Sequence, residues 1–132
     1  MGEGIIEGNG YAVGSLDDMG EGHGFRKVRK ELGVTAFGVN AIVLPPNYEG
    51  GSHYHDEQEE LYICLEGTFA LEFGDGTTHT LQPGGIARVD PSTVRRQLNP
   101  GDAACTYICI GGKDGYVGRD GQLPEGETRT GE

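Results

Sequence analysis

The sequence predicts an all-β fold, a barrel or sandwich of about eight short strands. Apolar and β-branched segments of roughly four to eight residues recur across the middle of the chain, and turn residues separate them. The chain has 25 glycines and 6 prolines among 132 residues, spread without a repeat, which favours tight turns between strands over helices. At 14.0 kDa the chain is long enough for one hydrophobic core but not for two.

Residues 1–33 form a predicted N-terminal arm. Its glycine-rich, acidic start is expected either to pair with a sheet edge or to lie over the barrel. Phe25, Val28 and Leu32 follow the i, i+3, i+7 spacing of an amphipathic helix, and Gly33 comes directly after them. We therefore predict a short helix that ends at this glycine.

Residues 34–110 contain the predicted barrel strands, and residues 111–132 are a polar C-terminal extension, ordered to about Leu123. The turn Gly74-Asp75-Gly76 is a strong hairpin signal, and proline–glycine turns separate the later strands. In chain order, the predicted strands are 34–44, 53–55, 61–65, 68–73, 77–81, 86–89, 94–98 and 104–110.

Charge and composition exclude several classes of partner. A formal net charge of −11 argues against a nucleic-acid or anionic-membrane partner, since phosphate groups require a basic surface. No apolar stretch approaches about 18 residues, and the first residues resemble no signal peptide, so we predict a cytoplasmic protein. Cys64, Cys105 and Cys109 share no CxxC spacing and are expected to be buried, reduced thiols.

One short segment has the strongest functional pattern in the chain. His53 and His55 are one residue apart, and Glu60 and Gly67 follow after an acidic turn. On a strand, the two-residue period points both imidazoles to one face. If the next antiparallel strand brings Glu60 beside them, two nitrogens and one carboxylate oxygen meet, a set that suits a divalent metal with open coordination positions. The alternative is a surface hairpin with solvated histidines.

The same segment resembles the first motif of the single-domain cupins, G-x5-H-x-H-x3-4-E-x6-G. His53, His55, Glu60 and Gly67 fit this motif, whereas Asn47 stands at the position of the leading glycine. The resemblance covers residues 34–110 and implies a cupin jelly-roll barrel, the double-stranded β-helix. It also implies one divalent ion, Zn, Mn, Fe or Ni, on the two histidines and the glutamate.

The second cupin motif, G-x5-P-x-G-x2-H-x3-N, fits only at its ends. Gly84 and Asn99 match, but Asp90, Ser92 and Arg95 occupy the three middle positions. Metal-binding cupins place their last histidine where this chain has an arginine. Arginine offers no lone pair, and its cation is repelled by a divalent ion by about 8 kcal/mol at about 4 Å and an effective dielectric constant of about 20.

Three arrangements of Arg95 follow. The side chain can turn away and leave a three-ligand metal site, it can pair with Glu60 in a metal-free pocket, or it can hold an anionic ligand that bridges to the metal. Strand alternation puts Tyr62 on the face of Glu60, and Gln97 on the face of Arg95. Unpaired buried polar groups are costly, so we assign Arg95, Tyr62 and Gln97 to substrate binding. Alternatively, these groups satisfy one another and Glu60.

Two functions therefore remain open. The first is a metal-binding cupin that acts on a small, anionic organic substrate, with isomerase-like or dioxygenase-like chemistry and no catalytic residue assigned. The second is a non-catalytic, metal-free small-molecule barrel with a Glu60–Arg95 ion pair. The resemblance also implies a homodimer that pairs through sheet edges, to which the apolar pair Ile5 and Ile6 can add a strand.

Overall fold

The structure, a computed structural model, describes residues 4–124 and is built almost entirely of strands. The strands are β1 (Ile6–Gly8), β2 (Tyr11–Val13), β3 (Gly24–Arg26), β4 (Gly38–Leu44), β5 (Tyr48–Glu49), β6 (Tyr54–His55), β7 (Glu59–Glu66), β8 (Phe69–Phe73), β9 (Thr78–Leu81), β10 (Ile86–Val89), β11 (Arg95–Asn99), β12 (Cys105–Gly112) and β13 (Gly121–Gln122). The helix α1 spans Val28–Leu32, and a short 3-10 turn spans Leu16–Asp18.

Two antiparallel sheets form the body of the protein. The larger sheet has the order β10-β7-β12-β4-β3, and the smaller has the order β5-β11-β8-β9. Sequence neighbours are mostly not sheet neighbours, because strands alternate between the two sheets as in a jelly roll. Two further pairs, β1 with β2 and β13 with β6, lie outside these sheets. The predicted all-β cupin jelly-roll is confirmed.

The hydrophobic core lies between the inner faces of the two sheets. Its buried members are Ile42, Leu44, Tyr62, Cys64, Phe69, Leu71, Val89, Cys105 and Tyr107. Aromatic rings join the sheets: Phe69 of the smaller sheet stacks on Tyr107 of the larger, with ring centroids 4.0 Å apart. Each large apolar side chain removed from water contributes about 1.5–3 kcal/mol. The three cysteines are free, as predicted, but only Cys64 and Cys105 are buried, and Cys109 is partly exposed.

The N-terminal helix is confirmed, although shorter than its apolar spacing suggested. Gly33 ends it in the left-handed conformation at φ 73°, and its backbone N–H bonds to the carbonyl of Arg29. Phe25 belongs instead to β3, which pairs with β4, and its side chain is 58% exposed.

None of the helices within residues 4–124 has the length and apolar character that a membrane span requires.

The expected hairpin between the histidine strand and the glutamate strand is wrong. β6 pairs with β13 of the C-terminal extension, and His53 forms an isolated bridge with Arg95. β7 lies in the larger sheet between β10 and β12. The acidic segment therefore leads from the β6–β13 pair into the larger sheet. His53, His55 and Glu60 meet through their side chains and do not lie on paired strands.

No other residue fits at the position of Gly67 without a loss of folding stability. Its φ is 76°, and a Cβ there would lie 2.7 Å from the carbonyl oxygen of Ala104 and 2.9 Å from Cα of Cys105. Gly76 also has a positive φ, 89°, but a Cβ added to it would meet no atom of the described residues within 4 Å. Gly67 thus meets both a backbone and a packing constraint, and Gly76 only the first.

We predict that Gly67→Ala lowers the free energy of unfolding by about 2–5 kcal/mol, the sum of left-handed strain and overpacking. Gly76→Ala, the matched control, should cost only about 1–2 kcal/mol because it adds the strain alone. Urea denaturation of both variants measures the difference. Equal losses would show that the contact with the turn before β12 does not constrain Gly67.

Candidate metal centre

Three ligand-type side chains converge at one end of the barrel. His53 lies just before β6, His55 ends β6, and Glu60 lies near the start of β7. Their ligand atoms all lie within 4.8 Å of one another. The imidazole rings are edge-on, with centroids 5.1 Å apart. The structure thus brings together the two nitrogens and the carboxylate that the sequence pattern singled out.

The two oxygens of Glu60 have different surroundings. Oε1 accepts hydrogen bonds from the Tyr62 hydroxyl at 2.7 Å and from Arg95 Nη2 at 2.8 Å. Oε2 lies 3.5 Å from His55 Nε2, longer than a charge-assisted hydrogen bond. Burial alone would raise the pKa of Glu60, but contact with His55 and the bonds from Arg95 and Tyr62 outweigh it and lower the pKa to about 2.

Arg95 is fully buried, and backbone carbonyls hold its guanidinium. Nη1 donates to the carbonyl oxygens of Asp90, Pro91 and Thr93, at 3.2, 3.1 and 2.7 Å. Nη2 donates to Glu60, and the backbone of Arg95 bonds in both directions with the backbone of His53. The Arg95 side chain thus pairs with Glu60 and does not turn away from the site.

His55 is held by a carboxylate from the C-terminal extension. Its Nδ1 lies 2.7 Å from Asp120 Oδ1, and both side chains are buried. Burial opposes a charge on Asp120, but hydrogen bonds from neighbouring groups outweigh it and lower its pKa, so the carboxylate is ionised and accepts the Nδ1 proton. His55 Nε2 is buried and has no hydrogen-bond partner among residues 4–124. When the ring is neutral and carries its proton on Nδ1, the lone pair of Nε2 points toward Glu60 Oε2, 3.5 Å away.

The two histidines differ electrostatically. Burial, with the Arg95 cation acting in the same direction, lowers the pKa of His53 to about 4, so this ring is neutral near pH 7. Burial also opposes a charge on His55, but Glu60 and Asp120 outweigh it and raise its pKa. Neutral imidazole is the ligand form, and a raised pKa reports a position that attracts positive charge, from a proton or a metal ion.

The residues expected to bind substrate lie beside the glutamate. Tyr62 has no exposed surface, and its hydroxyl also accepts hydrogen bonds from Arg95 Nε at 3.4 Å and Gln97 Nε2 at 3.3 Å. The Tyr62 hydroxyl thus links Gln97 to the pair of Arg95 and Glu60. Direct contact of these residues with a substrate stays a prediction, and Gln97 is the only partly exposed member of the three.

Sequence reasoning missed three residues of the site. Asp120 stands in a polar tail with no motif around it, so nothing in the sequence signalled its contact with His55. Gln58 donates to Asp120 Oδ1 at 2.6 Å. Cys109 is neighbour to Tyr62 in the sheet register, and burial together with the charge of Glu60 raises its pKa well above the ordinary thiol range. Of these three residues, only Cys109 could have been found from the sequence, through the strand alternation on β12.

The two remaining histidines, His23 and His79, are exposed and lie outside the cluster. A cleft of about 340 Å³ on the larger sheet is lined by residues of β7, β10 and β12, including Glu60 but neither His53 nor His55. Its lining combines the apolar side chains of Phe37, Leu61 and Ile110 with charged residues that include Arg88.

The chain belongs to the cupin family. The family model described as the cupin domain matches residues 41–111, more than half of the sequence, and this span includes all three clustered ligands. A search of curated proteins finds no match.

Solved structures agree with this assignment. A cupin-superfamily sugar phosphate isomerase from Silicibacter pomeroyi is 28% identical, with a TM-score of 0.61 over 67% of this chain and 58% of that chain. A cupin protein from Bacteroides fragilis is 23% identical, with a TM-score of 0.68 over 92% and 98%. An uncharacterized Klebsiella pneumoniae protein with a double-stranded β-helix domain is 18% identical, with a TM-score of 0.66 over 86% and 96%. This chain spans less than two thirds of the isomerase.

The buried pair of Arg95 with Glu60 gives a stability prediction. Arg95→Met removes the cation and leaves the carboxylate uncompensated, which should lower the free energy of unfolding by about 3–5 kcal/mol. Adding Glu60→Gln should recover part of this loss, because a neutral amide replaces the unpaired charge. Urea denaturation of the metal-free single and double variants measures both effects.

Arg96→Met is the matched control for this pair. Arg96 lies on the same strand and bonds to Glu72 at the same 2.8 Å, but both side chains are partly exposed. Its loss should cost about 1 kcal/mol or less. A comparable cost at positions 95 and 96, or no recovery in the double variant, would contradict the assigned role of the buried pair.

Proposed function

We propose that this protein is a metal-binding cupin that acts on a small organic molecule. His53, His55 through Nε2 and Glu60 through Oε2 would hold one divalent ion. The observation that carries the proposal is the buried nitrogen of His55, which has no hydrogen-bond partner in the described part of the chain and only Glu60 Oε2 near it, at 3.5 Å, although its ring is fixed in place by Asp120. A buried acceptor without a partner is costly, and a bound cation would satisfy it.

Arg95 and the metal are compatible in this proposal because they use different oxygens of Glu60. The cation of Arg95 bonds to Oε1, and Oε2 faces the histidines. With Asp120 and Glu60 ionised, Arg95 balances only one of two carboxylates, so the cluster retains one negative charge that a further cation can offset. The ion would still bind more weakly than in a site with a third histidine.

The chemistry proposed for the site is Lewis-acid catalysis, in which a bound divalent ion would polarise a substrate oxygen. Arg95 and Tyr62 would keep Glu60 ionised and oriented, and Gln97 is the member of this group able to reach a ligand. The similarity to a sugar phosphate isomerase supports an anionic, isomerase-type substrate over the dioxygenase-like alternative.

The second candidate is the metal-free binding barrel. The hydrogen-bonded Glu60–Arg95 pair favours it, because Arg95 occupies the place of a metal ligand in the second cupin motif. In this case a proton on His55, between Asp120 and Glu60, would offset the remaining negative charge. The two candidates differ in one measurable property, the uptake of a divalent ion.

We predict that the chelator-treated protein takes up one equivalent of Zn²⁺, Mn²⁺, Fe²⁺ or Ni²⁺ with a micromolar or tighter dissociation constant. Isothermal titration calorimetry with each ion measures this. His53→Ala and Glu60→Gln should each weaken binding at least about 100-fold, because each removes one of three protein ligands. His79→Ala, an exposed histidine outside the cluster, should bind as the wild type does. An unliganded wild type would refute the metal centre and favour the metal-free barrel.

A homodimer in the cytoplasm stays a prediction. The β1–β2 hairpin exposes Ile6, Tyr11 and Val13, at 65%, 62% and 57%, which suits an apolar contact between two copies. Sedimentation equilibrium should give twice the 14.0 kDa chain mass at micromolar concentration. Ile6→Lys should shift the mass toward the monomer, whereas Leu65→Lys, at an exposed position on the interior strand β7, should not. A monomeric wild type would exclude the dimer.

A further inference from the structure

Asp120 reaches the candidate metal centre from a different part of the chain. It lies 65 residues after His55, in the extension beyond the matched cupin domain, yet its side chain is 9% exposed. β13, which follows it directly, pairs with β6, so residues Gly121 and Gln122 lie opposite His55 and Tyr54. The extension thus places a buried carboxylate behind one ligand.

The two oxygens of Asp120 have separate contacts. Oδ1 accepts from His55 Nδ1 at 2.7 Å and from Gln58 Nε2 at 2.6 Å. Oδ2 accepts from the backbone N–H groups of Glu57 and Gln58 at 2.8 and 3.1 Å. One side chain therefore binds both the ring of His55 and the backbone of the turn that connects His55 to Glu60.

We propose that Asp120 is a positioning residue, which selects the Nδ1–H tautomer of His55 and holds the turn that fixes the spacing of His55 and Glu60. The inference rests on the proposed metal centre for its effect on affinity. A carboxylate can only accept at Nδ1, so Nε2 is left as the lone-pair donor on the side of the site. Such outer carboxylates orient the ring of a ligand histidine and set its tautomer.

The substitution Asp120→Asn tests the tautomer because the amide is not symmetric. The two backbone N–H groups at Oδ2 require an acceptor, so the amide oxygen takes that place and the NH₂ group faces His55. The side-chain amide of Gln58, which donates to Oδ1 in the wild type, then turns its own oxygen toward this NH₂ group. A donor at this position favours a lone pair on Nδ1 and a proton on Nε2, which blocks Nε2 as a ligand. Asp120→Ala instead removes the preference and leaves both tautomers open.

The two Asp120 variants should therefore rank differently in Zn²⁺ affinity and in thermal stability. Asp120→Ala should weaken Zn²⁺ binding about 10–100-fold, the usual effect of losing an outer partner, and Asp120→Asn should weaken it further. Melting temperatures of the metal-free proteins should run the other way, with Asp120→Asn above Asp120→Ala, because the amide keeps the turn bonds. A purely structural role predicts the same order for both measurements.

The tautomer itself can be observed without a metal. Long-range ¹H–¹⁵N correlation spectra of the metal-free wild type at about pH 9, above the ordinary histidine range, should show His55 protonated at Nδ1 and not at Nε2. The Asp120→Asn spectrum should show the reverse. Gln122→Ala, which removes only the exposed bond from Gln122 to Asp56, should match the wild type in spectrum and in Zn²⁺ affinity.

The outcomes separate the two proposals. A wild type that binds no metal but shows the Nδ1–H tautomer, reversed in Asp120→Asn, overturns the metal centre and supports the role of Asp120. A wild type that binds Zn²⁺ with any other protonation of His55, or whose affinity is unchanged in both Asp120 variants, overturns the role of Asp120 and leaves the metal centre intact.

Discussion

The two carboxylate oxygens of Glu60 contact different groups, and these contacts determine the arrangement of side chains at this end of the barrel. One oxygen bonds to Arg95 and Tyr62, and the other faces His55. Burying Arg95 without a counter-ion would be prohibitively costly, so the pair constrains where β7 and β11 can lie relative to each other. The same pair leaves one carboxylate oxygen directed at the histidines. The cation at a usual metal-ligand position can thus support a metal centre by orienting a ligand.

Much of the fold and part of the site followed from local patterns. Alternation on β7 predicted that Glu60, Tyr62 and Cys64 share the inner face, and all three are buried. The one-residue spacing of His53 and His55 predicted imidazoles on one side, as observed. These inferences succeeded because the two-residue period of a strand is set by its backbone geometry, independent of the partner strand.

The failures concern contacts between distant parts of the chain. The hairpin expected between the histidines and Glu60 does not exist, since β6 pairs with β13 instead. Asp120 was missed because an aspartate in a polar, glycine-rich tail looks like a solvated residue. The sequence left three arrangements of Arg95 open, because it does not reveal the three backbone carbonyls that surround its guanidinium. Partner choice in a jelly roll depends on crossovers that local patterns do not encode.

Anomalous diffraction from Zn²⁺-loaded crystals tests the central claim most directly. The account predicts one anomalous peak bonded to His53, His55 Nε2 and Glu60 Oε2, with Arg95 still hydrogen-bonded to Oε1. A peak elsewhere, the absence of a peak at full Zn²⁺ loading, or an Arg95 side chain displaced from Glu60 would contradict it.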